Sequence, residues 1–238
     1  SVLVSNLDLK QFNGVLHASG ARIGQGAFSA GMLCDVADAG RRISLTGRWA
    51  LDGLDAQHGA MRWRGLGVAS QFLGSIDSFS VFDVSRCTLK FTLDDLPKGE
   101  IAAAGMYDAA AGSNRLAIAV ANLSGDLLAP ALDPGNRNPN LKSLVFTLQS
   151  LAEKQAGRRM PQQIAAKLAV NNTAREAAGQ LRSLSVDLYA LCTPDDITLR
   201  KCNLAVLPGR RENALDLTGT VFIPPTNALS VVTLASPF

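Results

Sequence analysis

The sequence predicts an all-β fold: a jelly-roll β-sandwich of about eight strands with one or two short helices in its loops. Three observations lead there. Short apolar/polar alternations recur along the chain, Gly (21) and Pro (10) punctuate them, and the residues that decorate exposed helices are scarce. Arg outnumbers Lys 16 to 7 and Asp outnumbers Glu 16 to 4, so a helical bundle rich in surface Lys and Glu is excluded. At 238 residues and 47% hydrophobic content the chain can bury a sizeable core, which excludes a disordered or fibrous protein.

Residues 1–40 read as an N-terminal extension packed on the domain. Gly14, Gly20, Gly24, Gly26, Gly31 and Gly40 interrupt its short apolar stretches. The segment Gly20-Ala21-Arg22-Ile23-Gly24-Gln25-Gly26 lacks the spacing and the Lys-Ser/Thr pair of a phosphate loop and reads as a flexible loop. Residues 41–238 read as the single jelly-roll domain. In 42–49, Ile43, Leu45 and Trp49 alternate with Arg42, Ser44, Thr46 and Arg48, one face buried and one wet. The Gly-rich segment 59–74 reads as a loop or a broken strand.

The clearest strand is 87–93, where Leu89, Phe91 and Leu93 face one way and Thr88, Lys90 and Thr92 the other. Asp94-Asp95-Leu96-Pro97-Lys98-Gly99 supplies a turn, and strands follow at 101–107 and 115–121. Leu141, Leu144, Val145, Leu148 and Leu151 recur at helical spacing, with Asn140 to cap the start and Gly157 the end. They predict a helix over 141–155, and Pro161 predicts a second short one within 161–181. Strands return at 183–192, 197–207, 215–223 and 229–234.

The sequence supplies little for catalysis. His17 and His58 are the only histidines, and no G-x-S-x-G elbow is present. Cys34, Cys87, Cys192 and Cys202 form no C-x-x-C pair and have no His at zinc-ligand spacing, so they read as buried free thiols in a reducing compartment, with a disulfide as the open alternative. Turn chemistry accounts for Asp94-Asp95 and Asp195-Asp196. Asn122-Leu123-Ser124 and Asn171-Asn172-Thr173 match the glycosylation triplet, which a reduced-thiol protein would not use. No catalytic residue, cofactor or metal is expected, and the chain is not expected to be an enzyme. No apolar run approaches the ~18 residues of a membrane helix.

A net charge of +3 is small for a nucleic-acid-binding chain. The pairs Arg41-Arg42, Arg158-Arg159 and Arg210-Arg211 nevertheless concentrate donors suited to phosphate. Their plainer reading is solvated loop charge or salt bridges to the many Asp.

The run from Cys87 to Asp108, a strand, an Asp-Asp-Leu-Pro-Lys-Gly turn and a small-residue strand ending in Tyr107-Asp108, resembles paired strands of plant picorna-like virus coat proteins. These are the secovirid group of nepoviruses, cheraviruses and comoviruses. Ser183-Leu184-Ser185-Val186-Asp187-Leu188-Tyr189-Ala190 is similar to a late strand of the same jelly roll. The resemblance implies a structural coat subunit that self-assembles into an icosahedral shell around single-stranded RNA. Its partners would be sibling or identical subunits and, weakly, genomic RNA through Arg41, Arg42, Arg158, Arg159, Arg210 and Arg211. It would reside in the virion, and in host cytoplasm during assembly. A start at Ser1 fits release from a polyprotein, as it would fit cloning. The alternative is a carbohydrate- or ligand-binding β-sandwich module.

Overall fold

The computed structural model describes residues 1–134, 137–154, 162–174, 181–192, 196–208, 213–222 and 232–235. It is all-β, as the composition predicts, but its strands lie in one antiparallel sheet in strict sequence order, β1 to β13. The first seven strands are β1 (Val2–Asp8), β2 (Ala21–Ala37), β3 (Arg42–His58), β4 (Met61–Asp77), β5 (Val81–Leu93), β6 (Leu96–Asp108) and β7 (Ser113–Ser124). The remaining six are β8 (Leu144–Lys154), β9 (Gln162–Asn172), β10 (Leu181–Cys192), β11 (Asp196–Pro208), β12 (Asn213–Phe222) and β13 (Val232–Ala235). Among the described residues two α-helices interrupt the meander, α1 (Asn13–Leu16) and α2 (Gly125–Leu132).

This topology corrects the jelly-roll expectation. A jelly roll needs Greek-key crossovers that carry strands between two sheets. Among the described residues every strand pairs only with its chain neighbours. Tight connections produce that order. At Asp94-Asp95 both residues take positive φ, 51° and 63°, which is the two-residue hairpin conformation whose twist matches the flanking strands. Residues 1–40 contribute β1 and β2, and β2 is hydrogen-bonded along β3 from Ala21↔His58 to Ala37↔Arg42.

Four local expectations change. Residues 139–154 form a 3-10 turn, Pro139–Ser143, and then strand β8, and Gln162–Asn172 form strand β9 in place of the expected helix, with 155, 161 and 175–180 outside the described residues. The Gly-rich 59–74 stretch lies almost wholly in the 17-residue strand β4. Gly24 and Gly26 lie inside β2, where the register to β3 shifts between Ile23, Gln25 and Ala27. In each case pairing on both sides outweighs the local signal, because a short apolar run reads equally well as strand or helix. The strands expected at 87–93, 101–107, 115–121, 183–192, 197–207 and 215–223 are present in β5, β6, β7, β10, β11 and β12.

Almost nothing is fully buried. Among the described residues the buried hydrophobics are Leu127, Ala129, Val170 and Ala190. The chain exposes 15629 Å², against about 10,000 Å² for a compact monomer of its mass. One amphipathic sheet without a second layer has this signature. No helix among the described residues is long and apolar enough to cross a membrane.

Candidate apolar binding face

Paired residues in neighbouring strands project to the same side of a sheet, so the register sorts side chains into faces. One row runs Val4, Ala30, Trp49, Ser70, Leu89, Ile101, Val120, Leu148, Leu168, Val186, Leu204 and Leu215. It crosses twelve strands without a charge, and its one polar member, Ser70, is buried at 5% exposure. The next rows on this face add Phe72, Cys87, Ala103, Ile118 and Ala166 on one side, and Val68, Phe91, Phe146, Val170 and Leu184 on the other. Leu89, Phe91 and Leu93 therefore share a face as their alternation predicts, with Thr88 and Lys90 opposite.

The side chains at the middle of this face are half-buried. Sealing them would require a second apolar layer, and the described residues supply one only at α2. Ser124 caps that helix, its Oγ accepting from the Asp126 amide at 3.3 Å. Lys98 Nζ meets Asp126 Oδ2 at 2.7 Å, tying the first turn to β6. Trp63 and Ala56 are paired and continue the side on which Leu54 and Leu66 lie, whereas Arg62 and Arg64 on the other side are exposed. From that face the Trp63 indole N–H donates to the Leu127 carbonyl at 3.4 Å. Leu93 also shares a recess with Ala129 and Pro130. The helix thus lies over the apolar face where β4 begins and β5 ends, and it touches β7 and β8 as well.

The opposite end of the same strands is open. Phe82 and Tyr107 are cross-strand partners with ring centroids 6.3 Å apart at 29°, and they stay 41% and 48% exposed. Leu116, one pair further in on β7, is 48% exposed. Apolar side chains are thus exposed at both ends of the face, since Leu96, paired with Leu93 near α2, is 62% exposed.

The other face carries polar and small side chains. Its central row reads Leu3, Gly31, Arg48, Gln71, Thr88, Ala102, Ala119, Gln149, Lys167, Asp187, Asn203 and Asp216. Lys90 pairs with Glu100 at 3.9 Å, and Asp187 bridges Lys201 at 2.7 Å and Lys167 at 4.0 Å. The Lys201 hydrogen bond, helped by the positive charge of Lys201 and Lys167, holds the Asp187 carboxyl below its ordinary range. Near the β1 edge this pattern weakens, with Leu3, Leu33 and Leu73 exposed on the polar face.

The residues singled out from the sequence do not converge. Arg41 is exposed beside β3, and Arg42, the first residue of β3, faces Asp77 at 3.8 Å. Arg158, Arg159, Arg210 and Arg211 lie outside the described residues. His58 Nε2 lies 3.1 Å from the Ser19 carbonyl oxygen. Cys34, Cys87 and Cys202 are free thiols, but not buried ones as expected: Cys34 is exposed and Cys87 and Cys202 are half-buried, while the Cys192 side chain lies outside the described ones. Among the described residues no cluster of His, Cys, Asp and Glu could hold a metal ion. What the sequence reading missed is the continuous apolar face. Its signal was present in each strand's alternation, but the alternations add up to one surface only once the meander register is known. No family model, curated protein or solved structure matches the chain.

Proposed function

We propose that this chain is a ligand-binding module that shelters a long apolar chain, of the acyl type, against the apolar face of its sheet. The observation that carries this reading is the uncharged twelve-strand row, half-buried at its centre, exposed at Val4, Trp49 and Leu215, and without a covering layer among the described residues. Apolar surface left partly wet stabilises whatever apolar molecule removes it from water, by about 0.8 kcal/mol per buried methylene. Antiparallel sheets ordinarily place such a face against a core. Here a bound ligand would take the place of that missing layer. The reading stays within the ligand-binding class and replaces sugar recognition, which needs exposed aromatics among Asp and Asn, with apolar recognition.

The test is titration with a fluorescent fatty acid. Saturable binding is expected, strongly weakened by Phe91→Asp on the apolar side and unchanged by Thr88→Asp on the opposite side. Equal effects of the two variants, or no saturable binding, would reject the reading.

The coat-subunit reading is the second. It is favoured by the exposed apolar edge at Val2, Leu3, Met32 and Leu33, a surface that neighbouring subunits would bury. It predicts megadalton particles or pentamer-sized pieces on size-exclusion chromatography, whereas the ligand-binding module elutes small. RNA contact through Arg41 and Arg42 belongs to that second reading alone.

A further inference from the structure

The face opposite the apolar rows holds two recesses that differ in charge. The larger, about 820 Å³, opens over β4 to β10. Its lysines meet carboxylates, Lys90 facing Glu100 at 3.9 Å and Lys167 facing Asp187 at 4.0 Å. The smaller, about 630 Å³, opens over β1 to β5. The register builds it from two rows, Leu3–Gly31–Arg48–Gln71 and Leu33–Thr46–Leu73–Arg86, which project to the same side. Gly31 leaves its floor bare: Leu3 Cδ1 and Arg48 Nε lie 3.6 Å and 3.9 Å from where a Cβ would stand.

Leu3, Leu33 and Leu73 are 76%, 47% and 46% exposed, on a face that is elsewhere polar or small. Arg48 and Arg86 are exposed too, and neither meets a carboxylate among the described residues. No described Asp or Glu lines the recess. The next row on this face carries Asp35 and Asp83, of which Asp83 accepts from the Ser85 hydroxyl. An unpaired cation by itself selects nothing. Here two permanently charged guanidiniums, the Gln71 amide and three leucines share one recess of a size that holds small ligands. Arg48 and Arg86 are two strands and one alternation apart, about 12 Å between Cα atoms at ~4.8 Å per strand and ~3.4 Å per residue. Gln71 stands between them, so both side chains can reach a group seated over it.

We propose that this recess binds a small phosphate monoester of an apolar alcohol, its phosphate between Arg48 and Arg86 and its hydrocarbon against the leucines. A phosphate monoester carries a charge of about −2 at neutral pH, which matches the two guanidiniums. A carboxylate would neutralise only one of them. The site lies on the other side of the sheet from Leu89 and Phe91 and is independent of the acyl-binding reading.

Calorimetric titration with n-octyl phosphate, below its micellar concentration, tests this. One saturable site is expected, binding octyl phosphate more tightly than octanoate or octanol. Arg48→Gln and Arg86→Gln should each weaken it about tenfold, the loss of one charged hydrogen bond. Leu73→Gln should weaken it severalfold. Arg62→Gln, at the far end of β4, and Phe91→Asp should leave it unchanged. Absence of saturable binding, equal affinity for octyl phosphate and octanol, or an equal loss in Arg62→Gln would overturn the proposal. So would binding confined to phosphatidic acid in phosphatidylcholine vesicles, which would make the source a membrane surface. Binding lost in Phe91→Asp and kept in Arg48→Gln would also overturn it, and would place the octyl chain on the apolar face, in support of the acyl-binding reading.

Discussion

Adjacent rows of one sheet, Trp49–Ser70–Leu89–Ile101–Val120 and Arg48–Gln71–Thr88–Ala102–Ala119, are one residue apart in every strand and chemically opposite. The first is aliphatic and aromatic apart from Ser70. The second is charged, amidic or small. Both have the same backbone ladder, so ladder hydrogen bonding cannot account for the difference between them. What differs is the solvent each row requires. The polar row is complete in water, and its Lys–Asp and Lys–Glu pairs cross neighbouring strands. The apolar row is not, and among the described residues only α2 provides a covering group.

The sharpest way to probe this contrast is to truncate one side chain from each row region. Phe91→Ala removes a half-buried ring and should cost about 2–3 kcal/mol, below the 3–5 kcal/mol of a fully buried Phe because part of the ring is already wet. Thr88→Ala, on the opposite face, should stay within ~0.5 kcal/mol. Urea unfolding of both variants checks this. Equal losses would mean that the two faces are packed alike and that the apolar face is a closed core.

Much of this contrast was legible in the sequence. The alternation in 87–93 and 183–192 assigned Leu89, Phe91, Leu184 and Val186 to one side, and pairing confirms it. The helix expected over 141–155 failed for a physical reason. Leu144, Val145, Leu148 and Leu151 satisfy a 3.6 period, but pairing to β7 and β9 puts Leu144 and Leu148 on the apolar face and Val145 and Leu151 on the other. Strand length was hidden by glycine. Gly74 looks like a break, yet a Cβ there would meet the Asp83 carbonyl oxygen at 2.7 Å and the Phe72 ring at 2.9 Å, and Gly105, inside the expected strand 101–107, comes as close to the Arg115 carbonyl oxygen. These glycines admit neighbours within strands. The recess shared by Leu3, Arg48, Leu73 and Arg86 joins residues far apart in sequence and could not be seen without register.

The capped end offers a second comparison, with the open end. Gly125→Ala would drive a methyl group into the Leu141 carbonyl, so α2 and the following 3-10 turn must separate. The expected cost is about 1–3 kcal/mol, as for overpacking. Ser124→Ala removes the helix cap and should cost about 1 kcal/mol. Both should raise the exposure of Trp63, read as a red shift of its emission, without changing the Phe82–Tyr107 end. If neither variant shifts that emission, α2 is not what shields Trp63.

The smallest effect expected lies on the polar face, at Asp187. Its carboxyl is held low first by the hydrogen bond from Lys201 and then by the charges of Lys201 and Lys167. A carboxyl whose folded-state pKa is depressed adds stability above its unfolded value of about 3.9 and loses it as pH falls through the lower folded-state value. Asp187→Asn should therefore melt slightly below the parent protein at neutral pH, and the two curves should converge on acidification below about pH 4. Because the group is open to solvent, added salt should narrow the neutral-pH gap as well. Melting temperatures of the two proteins across pH, at low and high salt, decide the matter. A gap that widened in acid would mean that Asp187 is stabilised in its protonated form, and the polar face would then not be the solvated, charge-paired surface contrasted here with the apolar face.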